Sequence, residues 1–316
     1  MNDSKQPILF LNPVFKQMVW GGDRLETEWH YQIPSKNVGE CWAVSARPGG
    51  DCTIRDGIYA GYTLSSLWEQ KPELFGNTGL DRFPLLVKIL DAKTDLSIQV
   101  HPDDAYAAVH EDGSLGKSEF WYVLDCPENA KMVFGHNAQD RAELIDMVRN
   151  GRWKEFIREI TVKKGDVIQN APGTIHAITG GLLLLEVQQN SNITYRVYDY
   201  DRLVDGKLRP LHIKECIDVT TVPAQPIEEC LFHTSHMPVN TRNLLIACDY
   251  YKIWKLDVTE SLTMEQDEPF MVMSVVAGEG FINGEKISKG EHFILPAEFG
   301  SIHIEGNILI IACSCP

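Results

Sequence analysis

The stretch KKGDVIQNAPGTIHAITGGLLLLEV (163–187) decides the fold, because a second stretch, SKGEHFILPAEFGSIHIEGNILIIAC (288–313), follows the same plan. In each copy a Lys-Gly-acidic turn leads into a β-rich segment. A proline ends that segment, and a histidine, His176 or His303, precedes an apolar run. Duplication of this kind marks one supersecondary unit used twice. Outward from the first copy lie short β-rich segments: CWAVSA (41–46), PLLVKIL (84–90), LSIQVH (96–101), EFWYVL (119–124) and LLLLEVQ (182–188). Turn signals separate them at the spacing of sandwiches and barrels, so an all-β core is predicted. Helix is expected only between strands. One runs from Leu64 to Glu69 after a capping Thr63. The other spans 138–158, where Leu144, Ile145, Val148, Trp153, Phe156 and Ile157 recur at helical spacing around a break at Gly151.

The repeated unit resembles the second half of a cupin barrel. The resemblance implies an all-β dominated chain of two cupin-like, jelly-roll β-barrels with a few short helices between strands. The Pro-rich segment VPAQPIEE (222–229) is the expected boundary. It separates a catalytic domain, 1–225, with a short helical insertion at 138–158, from a degenerate barrel, 226–316. The second copy has His303 but nothing like the Gln-Val-His of residues 99–101 before it, so a structural role is expected for it.

With 316 residues, 44% hydrophobic and 23% charged, the chain is long enough to bury one large core or two modest ones. The start, MNDSKQPILFLNPVF, has too short an apolar stretch for a signal peptide, and the run Leu182–Leu185 is far too short to span a bilayer. The eight cysteines (41, 52, 126, 216, 230, 248, 313 and 315) follow no framework spacing and read as reduced thiols. A cytoplasmic location is expected. The net charge of −15 opposes affinity for nucleic acid or anionic lipid, and neither partner is expected. If the ligand is an anion, a few locally gathered cations must hold it.

Gln99 and His101 stand two apart in a predicted strand, which places both side chains on one face before Pro102 ends it. Glu119 opens the next predicted strand, and His176 opens the strand after the Pro172-Gly173 turn. Singly, each is more often a surface or hydrogen-bonded residue than a ligand. Together in a cupin-like frame they point to one ion. Two imidazoles, a carboxylate and an amide oxygen, with room for water or substrate, suit a catalytic Zn²⁺. No role is expected for His30, His110, His136, His212, His233, His236 or His292.

The blocks LVKILDAKTDLSIQVHPDD (86–104) and GKSEFWYVL (116–124) resemble the signature blocks of type I phosphomannose isomerases. APGTIHA (171–177), QQNSNITYRVYDYD (188–201), NPVFKQMVWGGDRL (12–25) and GECWAVSARPGG (39–50) agree with them, so the resemblance covers most of the first 210 residues in order. It implies one Zn²⁺ per chain, held by Gln99, His101, Glu119 and His176. It also implies an active-site Arg196, a pocket lysine at Lys117, and Lys88 and Ser97 at substrate-binding positions. The substrates it implies are mannose 6-phosphate and fructose 6-phosphate, interconverted through an enediolate. The chain departs from the long members of the family in its short helical insertion and in the run Arg196-Val-Tyr-Asp-Tyr-Asp. Both features resemble a compact bacterial branch and leave the shape of the substrate pocket near Tyr198, Asp199 and Arg202 open.

Lys117 reads as an acid or base for the proton transfer, as a phosphate ligand, or as a solvated lysine at a strand end. Arg196 suits phosphate or enediolate, against an ion pair with Asp199 or Asp201. Two rival functions share the frame: an Fe(II) oxygen-activating cupin, which Gln99 in the first ligand position opposes, and a non-catalytic sugar-binding cupin, which Lys117 and Arg196 oppose.

Overall fold

The computed structural model describes residues 6–316; the first five residues of the start quoted above lie outside the described residues. Each β-rich segment forms a strand: Val38–Val44, Leu85–Asp91, Ile98–Val100, Glu119–Asp125 and Leu183–Gln189. All five and their neighbours divide between two sheets. A seven-stranded sheet runs in the order Leu231–His233, Asp166–Asn170, Glu119–Asp125, Leu183–Gln189, Leu85–Asp91, Val38–Val44, Val14–Gly22. A five-stranded sheet runs Tyr195–Tyr198, Ile98–Val100, His176–Ala177, Lys131–His136, Ile157–Thr161. Leu90, Trp121 and Ile168 of the first pack with Met132, Phe134 and Ile160 of the second in one core cluster. Burying inward faces in this way is the main stabilising term for such a sandwich.

The fold is cupin-like and mostly strand, but the hydrogen-bonded sheets stay open where closed barrels were expected. One edge shows why. On the outermost strand Ile157–Thr161, Arg158 donates to Phe134 O (2.8 Å) and to Gln225 O (2.8 Å), so a side chain and the segment near residue 225 cover the edge instead of another strand.

The C-terminal sheet has nine strands and is built on Gly300–Ser314, which pairs with Lys252–Val258, Ser261–Gln266 and Met271–Ile282. Leu256, Met273, Phe293, Ile302 and Ile310 form its own core. The sheets exchange strands across residue 225. Leu9 and Phe10 pair with Ile294 and Phe293, while Leu231, Phe232 and His233 pair with Ile168, Val167 and Asp166. A shared aromatic cluster lies between the halves, with Phe83 and Phe270 ring centroids 5.4 Å apart and Trp68 and Phe75 against them.

The helix Leu64–Gln70 forms as expected, and Thr63 caps it by accepting from Ser66 N (3.2 Å). In the insertion, Asp140 caps Arg141–Arg149, Gly151 breaks the helix at a φ of +63°, and Trp153–Phe156 adds one short turn. Ile157 and Arg158, expected to be helical, belong to the edge strand, where backbone pairing with 131–136 outweighs the helical pattern. Asp104–His110, capped by Asp103, and Ile213–Val219 are further helices.

His292 is buried in the C-terminal half. Its Nδ1 lies 2.9 Å from Ser274 Oγ, and its Nε2 lies 2.8 Å from Tyr31 Oη, whose own hydrogen goes to Gly290 O (2.7 Å). Nε2 therefore carries the proton and donates to Tyr31, while Nδ1 accepts from Ser274. Burial pushes the imidazole down to about 3 from the ordinary 6.5. The unfolded chain thus takes up a proton below about 6.5 that the fold refuses. Stability present above that pH is lost progressively as pH falls toward about 3. A urea midpoint lower at pH 5 than at pH 7, with the difference reduced in His292→Gln, is the expected result.

Candidate metal centre and substrate cavity

Glu119 begins its strand in the seven-stranded sheet, opposite Asn170 and Gln188. His176 pairs with Gln99 in the facing sheet, and His101 follows directly on the strand Ile98–Val100. The two sheets thereby bring three distant stretches together. His101 Nε2 lies 3.2 Å from Glu119 Oε1, His176 Nε2 lies 3.7 Å from Glu119 Oε2, and the two imidazole centroids are 4.8 Å apart. All three side chains are buried, and the described residues contain no second cluster of this kind. His303, in the second repeat, is instead bonded to Thr263 and Glu305 near the surface.

The protonation pattern fits a divalent cation. His176 Nδ1 donates to Thr174 O (2.9 Å), which leaves its Nε2 lone pair facing Glu119. Burial, reinforced by the nearby Lys117 charge, pushes His101 down to about 4, and burial lowers His176 as well, so both imidazoles are neutral at pH 7. Burial alone would raise Glu119, but the Lys117 ammonium beside it outweighs burial and holds the carboxyl well below its usual range. Asn170 Nδ2 donates to Glu119 Oε2 (2.6 Å) and fixes the carboxylate. The lone pair of His176 Nε2, the Nε2 of a second neutral imidazole and one carboxylate therefore converge, the donor types a divalent ion takes.

Gln99 points its amide at the same place. Its Nε2 lies 3.3 Å from His176 Nε2, while its carbonyl accepts from Ser97 Oγ (3.2 Å). Lys117 Nζ lies 2.6 Å from Glu119 Oε1 and 3.3 Å from His101 Nε2. An open cavity of about 480 Å³ adjoins the cluster, and Lys88, Ser97, Gln99, Lys117 and Arg196 all line it. Lys88 differs from the other cations there. Its ammonium is buried against Glu186 (2.9 Å) and Glu40 (3.9 Å), and those carboxylates hold it in its charged form.

Arg196 is half-buried, and burial, with Arg209 nearby, lowers the guanidinium from its usual range. Asp199 does not pair with it. That carboxylate is gripped by Arg202 (2.9 Å) and by Arg209, whose Nε donates at 2.7 Å. Among the described residues no side-chain acceptor meets Arg196, and its Nε is without a partner. Arg209 also lines the cavity and was missed in the sequence; it lies outside every recognisable block, and only the turn at 205–206 folds it back. His212, expected to have no role, accepts from Arg196 N (3.1 Å) and fixes that residue's backbone.

Fold and site together define a cupin with a buried two-histidine, one-carboxylate cluster beside a cavity into which lysine and arginine side chains face. Residues 8–123 match the description "Phosphomannose isomerase type I, catalytic domain", and residues 240–315 match "Mannose-6-phosphate isomerase, cupin domain". The chain is 46% identical to mannose-6-phosphate isomerase ManA of Bacillus subtilis, over 94% of this chain and 96% of that protein. It is 42% identical to the mannose-6-phosphate isomerase of Streptococcus mutans, over 96% and 97%. Among solved structures, the mannose 6-phosphate isomerase from Bacillus subtilis superposes with a TM-score of 0.90 at 42% identity, covering 98% of this chain and all of that one. A putative mannosephosphate isomerase from Archaeoglobus fulgidus, at 18% identity and a TM-score of 0.77 over 99% of both chains, shares the fold. The chain belongs to the type I phosphomannose isomerase family.

Proposed function

We propose that the chain is a zinc-dependent aldose–ketose isomerase that interconverts mannose 6-phosphate and fructose 6-phosphate through an enediolate. The observation that carries this reading is the cluster of His101, Glu119 and His176 beside a cavity lined by Gln99, Lys117 and Arg196, with Arg196 free of any side-chain partner among the described residues. The relatives at 42–46% identity, named as mannose-6-phosphate isomerases, support the substrate.

Two neutral imidazoles and a carboxylate suit one zinc ion per chain. Gln99 is proposed as the fourth ligand: turning its amide over exchanges oxygen for nitrogen without changing its outline and brings the carbonyl toward His176 Nε2. A bound divalent cation would supply electrostatic stabilisation of the negative charge that develops on substrate oxygen. Lys117 sits against the cluster, within reach of groups reacting there, which favours proton transfer at its Nζ over phosphate binding. Arg196 offers its planar fork to the phosphate or to the developing oxyanion. Ser97 orients Gln99, and Lys88, already neutralised by Glu186 and Glu40, acts on substrate by shaping the cavity wall. Residues 1–225 would form the catalytic region and 226–316 its cupin-like companion. A cytoplasmic location is proposed on the eight cysteines, all of them free thiols.

The test is a coupled assay: mannose 6-phosphate, added phosphoglucose isomerase, and detection of glucose 6-phosphate. Turnover should disappear after chelation and return with Zn²⁺, elemental analysis should find about one zinc per chain, and the rate should be indifferent to oxygen. Activity surviving with no metal bound would overturn the reading.

A further inference from the structure

The segment leading into the Glu119 strand turns Lys117 and Glu119 toward the metal cluster and Ser118 away from it, toward the C-terminal half. On that far side Ser118 Oγ lies 3.0 Å from the hydroxyl of Tyr251, which immediately precedes the C-terminal strand Lys252–Val258. Gln169 closes a triangle with both: its Nε2 is 2.9 Å from Tyr251 Oη and 3.1 Å from Ser118 Oγ. Ser118 and Tyr251 are fully buried or nearly so, and no other side chain of the C-terminal half bonds to Ser118 or Gln169 among the described residues. Gln169 is the neighbour of Asn170, which donates to Glu119 Oε2 on the cluster side. Ser118 is also tied through its N–H to Gln189 Oε1 (2.9 Å). Two adjacent strands are thus pinned together from behind at the residues that present a carboxylate and an ammonium in front. Loss of one hydroxyl would leave buried polar atoms on both strands without a partner, and that imbalance is relieved by local movement.

We propose that Tyr251 is a positioning residue, through which the C-terminal half holds the Lys117–Ser118–Glu119 segment in the geometry the metal cluster needs. The proposal rests on the reading of His101, Glu119 and His176 as a divalent-cation site. It gives the second cupin unit a part in the active site although that unit has no such cluster of its own among the described residues.

Cobalt(II) titrated into the metal-free full-length protein, followed by visible absorption, tests it. Tyr251→Phe and Ser118→Ala break the same contact from opposite sides, and Ser118→Ala carries the test if the tyrosine variant does not fold. Each is expected to raise the Kd for cobalt at least about tenfold, within the range typical of outer-sphere partners of a metal site. Each should also shift the absorption bands and lower kcat with little change in KM, and the double variant should be no worse than the worse single one. Tyr31→Phe, which removes a different buried tyrosine hydroxyl facing the C-terminal half, should lower the unfolding midpoint but leave cobalt affinity and spectrum unchanged. Unchanged affinity and spectrum in the folded variants, or equal changes in Tyr31→Phe, would overturn the proposal while leaving the metal site standing. A wild-type protein that takes up no cobalt would remove the metal reading, and this proposal with it.

Discussion

Glu119→Gln is expected to lose its metal and to lower turnover on the order of 10³-fold, beyond the roughly 10- to 100-fold that loss of an outer-sphere partner costs. The substitution keeps the shape of the side chain and its contact with Asn170, but removes the negative charge that, among the described residues, alone contacts His101 and Lys117. It also strands a buried ammonium. Lys117 is only 5% exposed, and removing one partner of a buried pair typically costs about 3–5 kcal/mol. Stability and activity therefore separate in a second variant. Glu119→Gln combined with Lys117→Met should recover most of the lost unfolding free energy in a urea titration while remaining inactive and metal-free. If the double variant instead recovered turnover, Glu119 would be a counter-ion for the lysine and not a ligand.

Arg196→Ala should lower kcat/KM by about 10²–10³-fold, the usual loss when one preorganised charge facing the reacting groups is removed. Its effect on stability should be the reverse of the usual one. The guanidinium makes no side-chain ion pair among the described residues, and Arg209 stands close enough to lower its proton affinity. Removing it relieves repulsion, and the unfolding midpoint should stay level or rise slightly. Arg196→Lys keeps the charge without the fork and should fall between. Near-wild-type kinetics in Arg196→Ala would exclude it from the site; a large loss of stability would show an ion pair that the fold does not display.

The core was legible because short apolar, β-rich runs are a local signal: Leu85–Asp91, Glu119–Asp125 and Leu183–Gln189 are buried along nearly their whole length and form the central strands of their sheet. The i, i+2 spacing of Gln99 and His101 carried the pair to one place for the same reason. Helical insertion boundaries were less legible, since Ile157 continues an apolar helical stripe yet gains more from pairing beside His136. The site's supporting groups were the least legible. Asn170, Arg209 and Tyr251 act through contacts with residues 51, 10 and 82 positions away, and no local pattern distinguishes them from other polar or aromatic residues. Asp199 illustrates the point: sequence proximity offered it to Arg196, and the fold gave it to Arg202 and Arg209.

The exchange of strands across residue 225 imposes an order on synthesis. When the first 225 residues have left the ribosome, Leu9 and Phe10 still await partners that are nearly seventy positions from being translated, and Asp166–Asn170 still lacks Leu231–His233 along one margin. The nascent first 225 residues must therefore wait with open hydrogen-bonding edges, a state prone to misassembly. Completion of the sheets that carry the His101–Glu119–His176 cluster and arrival of the last strands become a single late event, so a truncated translation product should be discarded as unfinished and not accumulate as a working fragment.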